Sequence, residues 1–550
     1  MRIGSCFILM LWACQLSAQM REAGLSEVGM RGARLPYVRY GSAAGRMSGA
    51  KLVTASEATG GRQVSLAGRG AFIEWTVVAA AQAADLRFSL PDNATGTGVQ
   101  GVLGLYVNGV KVKDVVLSSY WAYQYFRTGE SDPYQTPQEK TFMSFDEVHF
   151  RLDRPLRAGD TVRLRKDGAD DIVYGIDFIE LEPLPAVIVP SAGALSVTDF
   201  GAVPDDDQDD LAAFDACIRA AAAGGKSVYI PPGRFILSDK LVLESSGLKI
   251  QGAGVWYTQL YFSTNRQFYG GIVARANAIE MAGFSLNTAN NGRLQYGEEG
   301  ARMPRSKYKQ YKGCSGTYGS GSRIHDLWIE HFECGFWIAG YDPPGEVPIT
   351  QGLVISNCRI RNNYADGVNF CQGTSHSVVE NCSIRNNGDD GMAVWPNNAA
   401  GVQQPCIDDT FRNNTVEDNW RAAGAAIFGG WGHSVDHNLF IDGVGGSGIR
   451  MTNDFSGFGF DTLHEAITIV DNTIIGSGTK ADIWDRPKGA VELDASKGIY
   501  RVLFENTIID RSQWAPVHVA GKLAEVGFRG TSIDGKLRDV RVPGVMKGGD

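Results

Sequence analysis

The chain has 550 residues, 43% of them hydrophobic, with 68 glycines and a formal charge of −9. That length and apolar content allow a large core and more than one domain, which excludes a disordered chain or a minimal disulfide scaffold. The acidic balance, 61 Asp and Glu against 52 Lys and Arg, argues against a polyanionic partner such as nucleic acid or pectin, because phosphate and uronate chains reward clusters of basic residues.

Met1-Arg2-Ile3, the apolar run Phe7 to Trp12 and the small residues Ser17 and Ala18 read as an export signal over residues 1–18. The run is too short to stay in a bilayer as a span. Secreted or periplasmic location is therefore expected, with lipoprotein anchoring at Cys14 in Leu11-Trp12-Ala13-Cys14 as the competing reading. Residues 19–40 read as a linker. Beyond Cys6 and Cys14, seven cysteines remain without a CxxC or His pairing, so neither a zinc signature nor a dense disulfide framework is present.

From 41 to 184, short alternating stretches such as Gly70 to Trp75 and Leu105 to Gly109 predict an antiparallel β-sandwich. The stretch resembles the family-35 type of carbohydrate-binding module, which makes Tyr120, Trp121, Tyr123 and Tyr125 candidates for sugar stacking. Core or interdomain packing of those aromatics is the equal alternative. Pro183, Pro185 and Pro190 mark a linker over 185–196.

A second domain is expected over 197–535, with a tail over 536–550. Acidic residues Asp205 to Asp210 precede Leu211, Phe214, Cys217 and Ile218, as at the positive end of a short amphipathic helix, which stops at Gly224-Gly225 and caps a coil. The repeat that follows is the strongest physical signal. Asn357-Cys358-Arg359-Ile360-Arg361-Asn362-Asn363 recurs 24 residues later as Asn381-Cys382-Ser383-Ile384-Arg385-Asn386-Asn387. Looser copies begin at Asp326, Asn414, Asn438, Asn472 and Asn506. The units alternate apolar and polar residues and lack a leucine pattern or a 3.6 period, so the expected fold is all-β: a right-handed parallel β-helix after the sandwich. Asn side chains should stack at the turns, and Cys358 and Cys382 should form a buried thiol stack rather than a bridge.

The same register lays Asp366-Gly367 over Asp390-Gly391, with backbones about 4.8 Å apart. Asp389 adds a third carboxylate. Crowded carboxylates cannot all ionise together, and a glycosidase needs one protonated and one ionised carboxyl, so the triplet supplies both states. An inverting enzyme would separate the working pair by roughly 6.5–9.5 Å. Because an unbroken strand would put Asp366 on the face of Val368, the Asp-Gly pairs are placed at a bend that lets the carboxylates face outward. An ordinary Asx turn or a weak calcium site would show the same residues. Their repetition across coils favours function, since uncompensated charge is tolerated mainly at functional sites.

Ile360 to Phe370, Gly388 to Ala393 and Ser447-Gly448-Ile449-Arg450 resemble glycoside hydrolase family 87, the α-1,3-glucanases and mycodextranases. The resemblance implies an inverting endo-hydrolase of a neutral α-glucan, with Asp389 as general acid and Asp366 and Asp390 activating water. The chain departs from the polygalacturonase-type hydrolases in lacking Gly-His-Gly and Arg-x-Lys after the Asp pair. Tyr364, Trp395, Trp420 and Trp431 are candidates to stack on glucose rings, with Asn369, His433 and Arg450 as hydroxyl contacts. Catalysis is expected to need no cofactor, with room for a structural Ca²⁺. No membrane span and a monomer are expected. A non-catalytic glycan-binding solenoid and a β-helix polysaccharide lyase are the competing readings.

Overall fold

The computed structural model describes residues 31–93, 97–125, 141–263, 270–291, 312–339, 349–398 and 401–542. The export signal and Cys14 lie outside the described residues. No helix among those described is long and apolar enough to cross a membrane.

Two antiparallel sheets form the N-terminal domain. One has six strands, with Phe145–Leu156, Ala81–Ser89 and Tyr174–Glu182 side by side, and the other has five. Alternation along each strand puts Leu86, Phe88, Leu105, Leu164, Ile176 and Ile179 into the shared core. The domain begins at Val38, not at residue 41, because Val38–Gly41 pairs antiparallel with Phe178 to Leu181. Residues 31–37 are likewise no free linker. Backbone and side-chain bonds tie them across successive coils of the second domain: Arg31 to the Asn472 carbonyl at 2.7 Å, Gly32 N–H to the His437 carbonyl at 2.7 Å, and Ala33 N–H to Thr415 at 2.9 Å.

The second domain is a parallel β-helix. Among the described residues its 29 strands follow one another in chain order, and through most of the stack each also pairs in parallel with the strand three further on, so three strands make one coil. A 14-residue helix, α1 (Leu211–Gly224), covers the first coil with Phe214, Cys217, Ile218 and Ala221 and ends in a left-handed Gly225. Ile360 pairs with Ile384, Ile384 with Val416, Val416 with Phe440 and Phe440 with Ile474, which is the register of the sequence repeat. The turn asparagines form ladders, with Asn381 bonded to Asn357 at 2.7 Å and Asn387 accepting from Asn363 at 2.9 Å. Seven described cysteines are free and buried, and the Cys358 N–H points at Cys382 Sγ. The tail expected from 536 is a strand as far as Val542: Lys536–Val542 folds back antiparallel on Val517–Ile533 and closes the otherwise open last edge.

The sandwich lies on the β-helix through buried charge. Arg385 reaches Glu147 at 2.6 Å, Glu180 at 2.8 Å and Glu417 at 3.2 Å; Arg39 bridges Glu180 and Glu417 at 2.6 Å each. Arg361 pairs with Asp85 and Glu147, and Arg87 with Asp177 and Asp418. The aromatic loop of the sandwich serves this seam too. Trp121 donates to the Thr288 carbonyl at 3.0 Å and stacks on His331, and Tyr120 donates to the Ala289 carbonyl at 2.7 Å. Tyr123 bonds the Leu90 carbonyl of its own domain. Interdomain and core packing thus accounts for these three; the Tyr125 side chain lies outside the described residues.

Candidate active site

The Asn ladder fixes a corner at Asn362-Asn363 and Asn386-Asn387, where Asn362 and Asn386 take a left-handed backbone. Each chain then enters the next strand through a glycine. Gly335 N–H bonds the Asp366 carbonyl, Gly367 N–H the Asp390 carbonyl and Gly391 N–H the Ala423 carbonyl, so Cys334, Asp366, Asp390 and Ala423 stack coil on coil. A Cβ on Gly367 would lie 2.5 Å from the Gly391 carbonyl oxygen and 3.0 Å from Ile384. That glycine turns inward against the core before Val368 does the same, and this bend takes Asp366 out of the core-facing row; the outward reach expected of Asp366 and Asp390 is not met, because both are buried.

One oxygen each of Asp366, Asp389 and Asp390 lies within 4.8 Å of the others. The carboxyls are closer than the sequence argument anticipated, so separation alone does not select a stereochemical course. Asp366 and Asp390 are buried, whereas the Asp389 side chain keeps 34% of its surface. Burial first, and then the charge of Asp389, push Asp366 up to about 7 against the opposing pull of Lys312, Arg421 and an Asn369 hydrogen bond. The same causes, burial and then Asp389 and Asp366, hold Asp390 well above the ordinary carboxylate range, with Arg450 and Arg421 opposing. The Ala423 N–H donates to Asp390 at 3.0 Å, Cys334 Sγ donates to Asp366 at 3.6 Å, and Arg421 pairs with Asp389. Three oxygens at this spacing would also suit a divalent cation. The arrangement is a proton-sharing set with one member open to solvent.

The remaining candidates divide. Asn369 is in register with Trp337 and Ala393 beside the acids. Trp395 stands one coil from Cys371 in an aromatic wall with Trp337, Phe428 and Phe455, and Arg450 lies 5.9 Å over Phe455. Trp420 and His433, in contrast, are fully buried, which corrects their placement in a sugar cleft. Trp420 packs with Tyr364, Ile483 and the sandwich residues Met143 and Phe142. Tyr364 donates to the Trp121 carbonyl at 2.7 Å, so it too braces the domain seam. His433 accepts from the Asp409 N–H at 3.2 Å, and burial drives its ring down to about 4, leaving a neutral core imidazole. Trp431 sits at the turn after the strand Ala422–Ile427, stacked on His464 at 4.3 Å.

Sequence reading missed Arg421, Lys312, Glu333 and Trp337. Arg421 had a signal: the repeat step of 32 residues from Cys382 to Asn414 also carries Asp389 onto Arg421. Lys312 had none, because its strand, Lys312–Thr317, falls in a stretch with no copy of the repeat.

Known proteins share this fold. A family model described as α-1,3-glucanase catalytic domain D1 matches residues 35–184, and one described as catalytic domain D2 matches residues 213–491. The crystal structure of the Agl-KA catalytic domain is 42% identical, with a TM-score of 0.85, over 92% of this chain and 89% of that one. The catalytic unit of a thermostable family 87 α-1,3-glucanase from Streptomyces thermodiastaticus is 26% identical, with a TM-score of 0.69 and 92% coverage of both chains. A family 87 α-1,3-glucanase catalytic domain in complex with nigerose shares the fold at 20% identity, TM-score 0.70, over 92% and 85%. Mannuronan C5-epimerase AlgE3 of Azotobacter vinelandii is 32% identical over 108 residues, 18% of this chain, and the match spans 6% of that enzyme's length.

Proposed function

The chain belongs to the α-1,3-glucanase family of glycoside hydrolases, family 87, and we propose that it cleaves α-1,3-glucosidic bonds of a neutral glucan with Asp366, Asp389 and Asp390. The observation that carries this reading is the division of the triplet into a buried, stacked pair and one exposed carboxyl. Asp389 is the member that a glycosidic oxygen can reach, so it is the general acid. Asp366 and Asp390 hold and deprotonate the attacking water. In the sugar-free state Arg421 pairs with Asp389, and the buried pair, both members pushed up, holds the cluster's proton. Sugar entering at Asp389 loosens the Arg421 contact, and a proton moves from the pair to Asp389, leaving an acid at the leaving oxygen and a base at the water.

Two further observations support this assignment. Solved family 87 relatives carry alanine variants of three aspartates whose spacing, 23 residues and then one, is that of Asp366, Asp389 and Asp390. Those relatives are described in complex with nigerose and tetrasaccharides. We assign an inverting course, because a pair set aside for water leaves no separate carboxyl to form a glycosyl-enzyme, and export of the enzyme to meet its polymer. Proton NMR of the first products from α-1,3-glucan tests both substrate and course. The β-anomer should appear first and mutarotate; an initial α-anomer removes inversion, and no release from α-1,3-glucan removes the reading.

A further inference from the structure

We propose that Lys312 is a positioning residue for this hydrolysis, its ammonium keeping Asp366 in the ionised form that water activation requires; the inference rests on the role given to Asp366 above. Lys312 is in register with Cys334, and Cys334 with Asp366, so the three stand in one row on successive coils. The ammonium is placed from three sides. It donates to Glu333 Oε2 at 2.5 Å, lies 4.7 Å over the Trp337 ring and sits 3.9 Å from Cys334 Sγ, whose thiol donates to Asp366 Oδ2 at 3.6 Å. A cation held over an aromatic face beside a carboxylate is fixed in direction as well as in charge.

Among the described residues, the charged and titratable groups facing Asp366 are Cys334 from the preceding coil, Lys312 from the one before, Cys371 from its own coil, Asp389 and Asp390 from the next, and Arg421 from the coil after that. Asn369 adds a hydrogen bond from its own strand. Arg421 is paired with Asp389, whereas Lys312 is bonded to Glu333 and acts on Asp366 through its charge. Glu333 therefore competes for the ammonium, and the two neighbours should act on the base in opposite directions.

The test is the pH profile of kcat/KM on a soluble α-1,3-linked glucotetraose for the wild type, Lys312→Met, Lys312→Arg and Glu333→Gln. Lys312→Met should raise the acidic limb by about one pH unit, with roughly tenfold lower activity below the limb and little loss above it. Lys312→Arg should return the limb to the wild-type position, and Glu333→Gln should lower it. A limb unmoved in Lys312→Met, a loss uniform across pH, or a Glu333→Gln limb that moves up overturns the inference. If Lys312→Met does not fold, the direction in Glu333→Gln decides alone. An inactive wild type removes the proposed function and this inference together; an active wild type with immobile limbs removes only the inference.

Discussion

Two sets of buried carboxylates in this protein, three seam glutamates and two aspartates of the triplet, are shifted in opposite directions. In the seam between sandwich and β-helix, Glu147, Glu180 and Glu417 lie against Arg39, Arg361 and Arg385 with contacts of 2.6 to 3.5 Å. Despite complete burial, those arginines hold all three carboxylates below their ordinary range, Glu180 at about 2. At the corner of the helix, Asp366 and Asp390 are as deeply buried, but each has another aspartate as a near neighbour and both are pushed up. Burial is the largest cause at both places. For these five groups the second cause, guanidinium or carboxylate, goes with the outcome, whereas Asp85, Asp177 and Asp418 in the same seam are pushed up although arginines pair with them. A glutamate shared among several arginines stays charged and holds the domains together; an aspartate left in acidic company is pushed toward its protonated form.

The contrast is sharpest under mutation of the seam. Arg385→Met leaves three buried carboxylates short of their cation and should destabilise the protein by about 3–5 kcal/mol, seen as a lower denaturation midpoint. A midpoint within experimental error of wild type would show that the seam is not held by charge.

The triplet should respond the other way, and its pH dependence separates the two regions. Asp366, raised to about 7, contributes stability below the ordinary carboxylate range that is lost as pH rises through 7. Asp366→Asn should therefore be more stable than wild type at pH 8 by roughly 1–2 kcal/mol, with the gain vanishing near pH 4. Glu180, lowered to about 2, contributes stability above its ordinary range that is lost as pH falls toward 2. Melting temperatures across pH 2.5 to 9 would record an acid-side loss that follows the seam and an alkaline-side loss that Asp366→Asn removes. An Asn variant less stable at pH 8 would contradict the assignment of strain to the triplet.

Much of this was legible in the sequence, for a physical reason. A parallel coil repeats its chemistry at fixed spacing, so the 24-residue step alone marks Asn357 and Asn381, and Asp366 and Asp390, as neighbours on successive coils. The aromatic residues were less readable. Trp420 and Trp395 both lie close to acidic coils in the chain, yet one is walled in by Met143, Phe142 and Ile483 and the other stands beside Trp337 and Phe455. Which of these happens depends on where the sandwich docks, and docking is written in residues hundreds of positions apart, such as Arg385 and Glu147. Lys312 was hidden because its strand carries no copy of the repeat, and His433 was misplaced because its turn has the look of a loop although its ring is fully buried.

Reducing ends released from insoluble α-1,3-glucan by the wild type, Asp366→Asn, Asp389→Asn and Asp390→Asn measure the claim that these three form one catalytic unit. The account predicts steady release by the wild type and a loss of at least about a hundredfold in every variant, with folding intact. Release at the wild-type rate from any one of the three would contradict it.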